Sequence, residues 1–465
     1  MHLKLFKWIL AGLVTTTLYC GSSPEKNITI SQTNPYYFDY KGQPILLLGG
    51  SDEDNLFNHP ALLQKNLAIL ADVGGNYIRC TLSCRDSGNV WPFLKTDKGL
   101  YDLERFNPEY WQRLEHCLQQ AEQKEIIVQI ELWATFDFYR ENWIVNPFNP
   151  ANNINYDTTT TRLETIWPFH PARKPQPFFF SVPKRNNDEI LLSYQLAFAE
   201  RVMRTCLDYP NVLYCLDNET RAPAEWAWYW AEQLYRIADH AGKRILVTEM
   251  WDAHDLRDDE HKRTYMYPDL FSFFDISQNN WQEGQAHYNN GLWIRREVTK
   301  NGGARPLTNV KVYHRRHGGL PNEPSVGLDR WWQNIFIGCA STRFHRPTGG
   351  TGLDSLSRQA IHAARTFTDE FSIFATHPAP ELLLNRQANE AYCLALPEQV
   401  YAVYFPSGGE VDLQLEPEIA STHRWFDPQT STFRDPVETG IQKEITLTSP
   451  DTLQPWLVLV ERTDK

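Results

Sequence analysis

Glu219 and three other acids have the types and spacing to do chemistry. The stretch Val212-Leu213-Tyr214-Cys215-Leu216-Asp217-Asn218-Glu219-Thr220 is a short apolar run that ends in Asn-Glu. Bounded by Pro210-Asn211 and by Thr220-Arg221, it suits a parallel strand covered on both faces. An acid just past such a strand stands at the carboxyl edge of the sheet, where α/β barrels keep their chemistry. Three more acids lie in similar runs: Glu131 in Gln129-Ile130-Glu131-Leu132-Trp133, Glu249 in Thr248-Glu249-Met250-Trp251-Asp252, and Asp275 in Phe274-Asp275-Ile276. Two carboxyl groups facing one cavity can divide acid and base work between them. Glu249 is the preferred partner of Glu219, ahead of Glu131 and Asp275. Each of the three has an ordinary alternative as a buried acid paired with Arg or Lys.

The elements that must position these acids follow from periodicity. Strands are expected at 44–50, 76–82, 125–134, 212–219, 244–249, 270–276, 307–313 and 338–344, with another at 27–38. Helical spacing separates most of them, at 60–72, 107–124, 190–209, 223–241, 328–336 and 354–371. Alternating strands and helices predict a parallel α/β fold, and eight units favour a closed (β/α)8 TIM barrel over an open sheet. No Gly-x-Gly-x-x-Gly follows any strand, which counts against a dinucleotide fold. A Pro-, Asn-, Thr- and aromatic-rich insertion runs over 136–187, and one of that length is usually functional. Past residue 380 the texture changes to short strands between turn signals such as Ser407-Gly408-Gly409 and Asp427-Pro428. The expected domains are a barrel over 27–375 and a small C-terminal antiparallel β-sandwich over 380–465.

Composition narrows the function classes. A net charge of −12 argues against bulk nucleic-acid binding. The chain holds 16 Trp and 21 Tyr, a surplus that suits stacking on sugar rings. Trp133, Trp143, Trp251, Trp281 and Tyr313 are the stacking candidates, each with an alternative place in the core. Lys4 and Lys7, then an apolar run too short to span a bilayer, read as a signal peptide over 1–20. Leu18-Tyr19-Cys20-Gly21 resembles a bacterial lipoprotein processing site with Cys20 lipidated, although Tyr19 departs from the usual small residue. The protein is therefore expected to be secreted or periplasmic, touching a membrane only through that anchor. The remaining cysteines are scattered, so buried hydrophobes are favoured over a metal site. Asp52-Glu53-Asp54-Asn55 has oxygens for Ca²⁺, but capping and hydrogen bonding are the simpler role. No metal or cofactor is expected. No His-Glu-x-x-His or Gly-x-Ser-x-Gly supports a peptidase.

Asn76-Tyr77-Ile78-Arg79 on the second strand and Asn218-Glu219 on the fourth resemble the motifs of the large retaining (β/α)8 clan of glycoside hydrolases. The tail, with Tyr401-Ala402-Val403-Tyr404-Phe405-Pro406 and Trp425-Phe426-Asp427-Pro428, is similar to the β-domain labelled collagen-binding that often follows such barrels. The resemblance implies cleavage of an oligo- or polysaccharide with Glu219 as general acid/base. It also implies a nucleophilic Glu on strand seven, yet that strand reads Asn309-Val310-Lys311-Val312-Tyr313-His314, with Lys311 about where the Glu belongs. Lys311 could hold a neighbouring carboxylate ionised, the state a nucleophile or base needs. It also favours the alternative reading, a non-catalytic carbohydrate-binding lipoprotein on a degenerate barrel. The substrate-contacting set expected is Asn218, Arg79, Glu131, Trp133, Trp251, Asp275, Lys311, Tyr313, Arg343 and His345. Cations recur at strand ends: Arg79 and Arg85, His314-Arg315-Arg316-His317, then Arg343, His345 and Arg346. If they share a rim, guanidinium forks there would favour uronic or sulfated glycans.

Overall fold

The structure is a computed structural model that describes residues 27–314 and 323–463. The expected signal peptide, Cys20, Arg315, Arg316 and His317 lie outside them. Eight parallel strands form the barrel: β1 Leu47–Gly50, β2 Tyr77–Thr81, β3 Ile127–Trp133, β4 Val212–Asp217, β5 Val247–Thr248, β6 Phe274–Asp275, β7 Leu307–Val312 and β8 Ser341–Phe344. Their spatial order is 5-4-3-2-1-8-7-6. Side chains help to close the gap between β5 and β6. Ser272 N donates to Val247 O at 2.9 Å, Ser272 Oγ accepts from Val247 N at 2.9 Å, and Thr248 Oγ1 donates to Phe273 O at 2.8 Å. Gly49 is required where β1 meets β2, because a Cβ there would stand 1.9 Å from Tyr77 O.

A helix follows every strand: α1 Pro60–Asp72, α2 Pro108–Gln123, α3 Glu189–Cys206, α4 Ala224–His240, α5 Asp259–Tyr265, α6 Gly284–Lys300, α7 Pro324–Phe336 and α8 Ser355–Thr368. Local chemistry starts them where they start. Asn107 caps α2 on Glu109 N with Pro108 at the first position, Asp188 caps α3 on Leu191 N, and Asp354 caps α8 on Ser357 N. The apolar stripe of α2 buries Trp111, Leu114 and Leu118 as its spacing predicts.

The insertion after β3 is held by its asparagines. Asn146 Nδ2 donates to Asp137 O at 2.9 Å, and Asn149 Nδ2 to Trp143 O and Thr165 O, both at 2.9 Å. These amides tie the short helical turns and the loop of the insertion together through their carbonyls. The hairpin Phe93–Lys95 with Tyr101–Phe106, which the sequence pattern did not announce, leans on the insertion through Tyr101 and Asn153.

The C-terminal strands form one antiparallel sheet that folds over its own core, in keeping with the expected β-sandwich. Tyr401, Val403 and Phe405 face that inner core, while alternate residues Ala402 and Tyr404 pack towards the barrel. Tyr404 Oη donates to Asp329 on α7 at 2.8 Å.

Several expected strands differ in extent. Residues 27–38 form two short strands, Thr29–Ile30 and Phe38–Tyr40, because a turn intervenes. Residues 244–249 and 270–276 shrink to two paired residues each, since Leu270 N and Phe271 N turn back to Tyr267 O. Conversely, among the short strands expected past residue 380, one is long: Glu410–Asp427, whose register shift between Gln414 and Ile419 accommodates Pro417. Among the described residues no helix is long and apolar enough to cross a membrane. Cys80, Cys84, Cys117, Cys206, Cys215, Cys339 and Cys393 are free and buried.

Candidate active site

Glu219 projects from the carboxyl end of β4 on a strained backbone. Asn218 N donates to Trp133 O at the end of β3, and Thr220 N donates to Met250 O beyond β5, both at 2.9 Å. Pinned on both sides, Glu219 takes φ +60°, a left-handed conformation that costs a residue with a Cβ about 1–3 kcal/mol. Its Oε1 lies 2.7 Å from Lys311 Nζ and accepts from Gln278 Nε2 at 3.2 Å. Lys311, near the end of β7, also donates to Asn218 Oδ1 at 2.6 Å. The Lys311 side chain is 2% exposed and that of Glu219 20%, so Glu219 is partly open to solvent and Lys311 is not. Burial alone would raise the Glu219 pKa. The charge and hydrogen bond of Lys311, then the charges of Arg79 and His345, outweigh it and bring the pKa to about 2. Glu219 is thus a carboxylate at any ordinary pH, a state that suits a base or nucleophile better than a proton donor.

A second acid shares this electrostatic neighbourhood. Asp252 lies past β5, where Asp252 N donates to Thr220 O at 3.0 Å. Its Oδ2 accepts from Arg221 Nε at 3.1 Å, and Arg221 also reaches Glu260 at 3.2 Å. Burial, and next the charge of Glu219, raise the Asp252 pKa to about 6 despite Arg221. Two acids with pKa values pushed this far apart have the makings of a donor and an acceptor. Sequence reasoning quoted Asp252 without weighing it.

The expected partner, Glu249, is instead part of the barrel wall. It is 1% exposed, and its Oε1 accepts from Asp217 N at 3.0 Å and Met250 N at 2.8 Å. Those contacts set it below the rim that carries Glu219. Burial and the neighbouring Asp217 raise its pKa well above the usual carboxylate range. Asp275 is also walled in, accepting from Ser277 N at 2.8 Å and Ser277 Oγ at 2.9 Å, and burial raises its pKa to about 7. Glu131 is fully buried, 3.6 Å from Arg79 Nη1.

Most stacking candidates are core. Trp133 is buried among Phe138, Phe148, Phe178, Phe198, Trp226 and Trp230. Trp143 is buried with Nε1 donating to Glu164 O, and Trp251 is buried with Nε1 donating to Thr264 Oγ1. Rings with access to the mouth are Tyr313, packed 4.6 Å from His345, and Trp281, stacked 3.7 Å from the exposed His254. Trp281 Nε1 donates to Gln278 Oε1 at 3.1 Å, which links this ring to Glu219 through one amide. Gln278 is a second site residue that sequence reasoning did not weigh.

The cations of strands two and eight gather on one acid. Asp54 is bound by Arg79 at 2.9 Å, Arg343 at 3.2 Å and Arg346 at 3.4 Å, with His345 Nδ1 at 3.6 Å. Burial raises the Asp54 pKa, but Arg79, His345, Arg343 and Arg346 together hold it well below the usual range. Burial brings the His345 pKa down to about 3 despite Asp54. Arg343 Nη2 also donates to Ser51 Oγ, and Arg346 adds Glu53 and Asp86 at 3.5 Å. Arg85 is spent on Asp137 at 3.2 Å. These cations brace the mouth and balance buried acids; they are not a free basic rim. Asp52 is likewise engaged, accepting from Leu353 N at 2.9 Å and Asn66 Nδ2 at 2.8 Å. Among the described residues no group of three or more His, Cys, Asp or Glu side chains could hold a metal ion.

No family model matches the chain, and no curated protein matches it. Solved structures do. A protein described as a glycoside hydrolase superposes with a TM-score of 0.66 at 11% identity, covering 95% of this chain and 98% of that one. A glycoside hydrolase family 5 protein from Bacteroides vulgatus gives 0.64 at 12% identity, covering 95% and 94%. The likeness is one of fold, and it runs through barrel and C-terminal β-domain together: the chain has the architecture of (β/α)8 glycoside hydrolases that carry such a domain.

Proposed function

We propose that this protein binds a glycan across the barrel mouth and hydrolyses a glycosidic bond there. The observation that carries the reading is the split pair of acids at the rim, Glu219 held ionised by Lys311 and Asp252 held protonated into the weakly acidic range. Asp252 gives its proton to the glycosidic oxygen as the bond to the anomeric carbon breaks. The Glu219 carboxylate either attacks that carbon or takes the proton from the water that does. The sequence resemblance cast Glu219 as the acid; the proposed division reverses that role. Tyr313 and Trp281 offer ring faces to the sugar. The proposed substrate carries anionic groups, and the protein is proposed to be exported and anchored through Cys20.

A second reading, binding without turnover, is favoured by the Lys311–Glu219 contact itself, since an internal cation satisfies the carboxylate before any substrate arrives. The two separate on a panel of neutral and acidic oligosaccharides assayed for reducing ends between pH 4 and 7. Hydrolysis by the parent that falls at least a hundredfold in both Glu219→Gln and Asp252→Asn supports the enzyme. Glycan binding by the parent with no turnover on any member supports the binder.

A further inference from the structure

The insertion after β3 holds a cleft of about 450 Å³ lined by Arg140, Pro168, Phe169, His170, Ala172 and Arg173. That volume lies in the range of small-molecule sites, about 300–1,000 Å³. Half of its lining residues are basic and none is acidic. The arginines of the barrel mouth, Arg79, Arg85, Arg221, Arg343 and Arg346, are all committed to carboxylates. Arg140 and Arg173 differ: both are exposed, and neither has an ion-pair partner among the described residues. In a chain of net charge −12, two uncommitted guanidinium groups on one cleft are a local excess of positive charge.

The cleft is built, not merely left over. Arg140 has φ +56°, a conformation disfavoured for a residue with a Cβ, and its N–H donates to Trp167 O at 2.8 Å. That bond ties one arginine to the segment that carries the rest of the cleft. His170 Nδ1 accepts from Ala172 N at 3.2 Å, so the neutral ring keeps its proton on Nε2 as a donor. The His170 ring lies 5.6 Å from Phe136, and the preceding Thr135 donates to Asp217 at 3.1 Å, two residues before Glu219. The cleft therefore stands beside the end of β4. Burial, then the charges of Arg140, Arg173 and Arg221, lower the His170 pKa, while Glu219 works the other way. His170 is thus a neutral donor between two cations within electrostatic reach of the reacting carboxylate.

We infer that this cleft is a subsite for a sugar-borne oxyanion, gripped by Arg140, Arg173 and His170 while the neighbouring bond lies at Glu219. The inference rests on the glycan reading and specifies which substituent the glycan carries. Carboxylate and sulfate share the chemistry the guanidinium forks recognise, and Phe169 with Pro168 supplies an apolar wall for the ring.

The test measures calorimetric affinities of the full chain for three trisaccharides: an oligogalacturonate, its carboxyl-reduced neutral counterpart, and a sulfated galactose oligosaccharide. The expected result is at least tenfold tighter binding of one anionic ligand than of the neutral one. That ratio should fall below about threefold in Arg140→Gln/Arg173→Gln, whose exposed side chains put folding at little risk. It should persist in Arg296→Gln/Lys300→Gln, which removes the same charge from exposed positions of α6. The ligand that shows the preference identifies carboxylate or sulfate as the occupant. A ratio unchanged by the cleft substitutions, a ratio lost equally in the α6 control, or no preference in the parent overturns the subsite. Turnover of neutral oligosaccharides alongside any of those results would leave the hydrolase reading standing, so the two failures are distinguishable.

Discussion

Replacing Lys311 by Met removes the cation that holds Glu219 ionised, and the cost can be worked from the site. The Glu219 pKa is about 2 with Lys311 in place, and burial is the largest influence opposing that low value. Without the ammonium the pKa returns towards the ordinary 4.5 or so, a difference of about 3 kcal/mol between charge states. The sign follows from linkage. A depressed folded pKa stabilises above the unfolded pKa, and that stabilisation is lost as pH falls through the folded value. Parent and Lys311→Met should therefore differ most near neutrality, and the titrating part of the gap should shrink by about 2 kcal/mol between pH 7 and pH 3. Urea unfolding at a series of pH values measures it, and a ¹³C titration of the Glu219 carboxyl reads the shift directly. Methionine fills the space of the lysine stem, which limits cavity effects to a term without pH dependence. A stability gap that stays constant from pH 7 to pH 3, or a Glu219 titration that does not move, refutes the electrostatic account of this pair.

Three further outcomes follow from the same site. The pH dependence of kcat/KM should be bell-shaped, rising through about 2 as Glu219 ionises and falling above about 6 as Asp252 loses its proton; an alkaline limb above pH 8 would contradict the donor assignment. Asp252→Asn should lose about 10²–10⁴-fold on natural glycosidic bonds yet far less on nitrophenyl glycosides, whose leaving groups need no proton, a contrast read by comparing rates on the two substrate types. Buried Asp275, raised to about 7, keeps a proton that the unfolded chain gives up near 4, so stability should fall by up to a few kcal/mol as pH rises from about 4 to about 7; Asp275→Asn should flatten that slope in urea melts.

The barrel was legible because its signals are local and repeated. Apolar runs such as Val212–Asp217 cannot be satisfied on a half-exposed sheet, and helices such as Pro108–Gln123 announce both cap and buried face. What sequence could not supply was height within the wall. Alternation along β5 tells which face a residue takes, not where the ladder stops. The ladder stops at Thr248, yet the Glu249 side chain turns onto Asp217 N and Met250 N within the wall, and Asp252 arrives at the rim. A polar run after Trp251, Asp252-Ala253-His254, was the available sign that the chain had left the wall. The cations failed as a rim for a similar reason. Their recurrence at strand ends is real, but Asp54, expected with its neighbours to cap or hydrogen-bond, is the acid on which Arg79, Arg343 and Arg346 converge. Arg140 and Arg173 left no mark because exposed arginines in a proline-rich insertion look like ordinary solvated charge.

Lys311 changes more than one position. In a barrel with two facing carboxylates, mutual repulsion decides which of them keeps a proton. Here Lys311 binds Glu219 and holds it ionised, so Glu219 has no proton to share. Any proton available at the rim in weak acid must come from a different residue, and Asp252, raised by burial and by the Glu219 charge, meets that need. Lys311 is bound by Glu219, and Arg221 by Glu260 as well as Asp252, so neither cation beside the two acids is free. A charged substrate group consequently has nothing to hold it at the reacting bond itself. The uncommitted cations next along the rim, Arg140 and Arg173, are where such a group would be held, and selectivity would then reside in the insertion while proton transfer resides in the barrel.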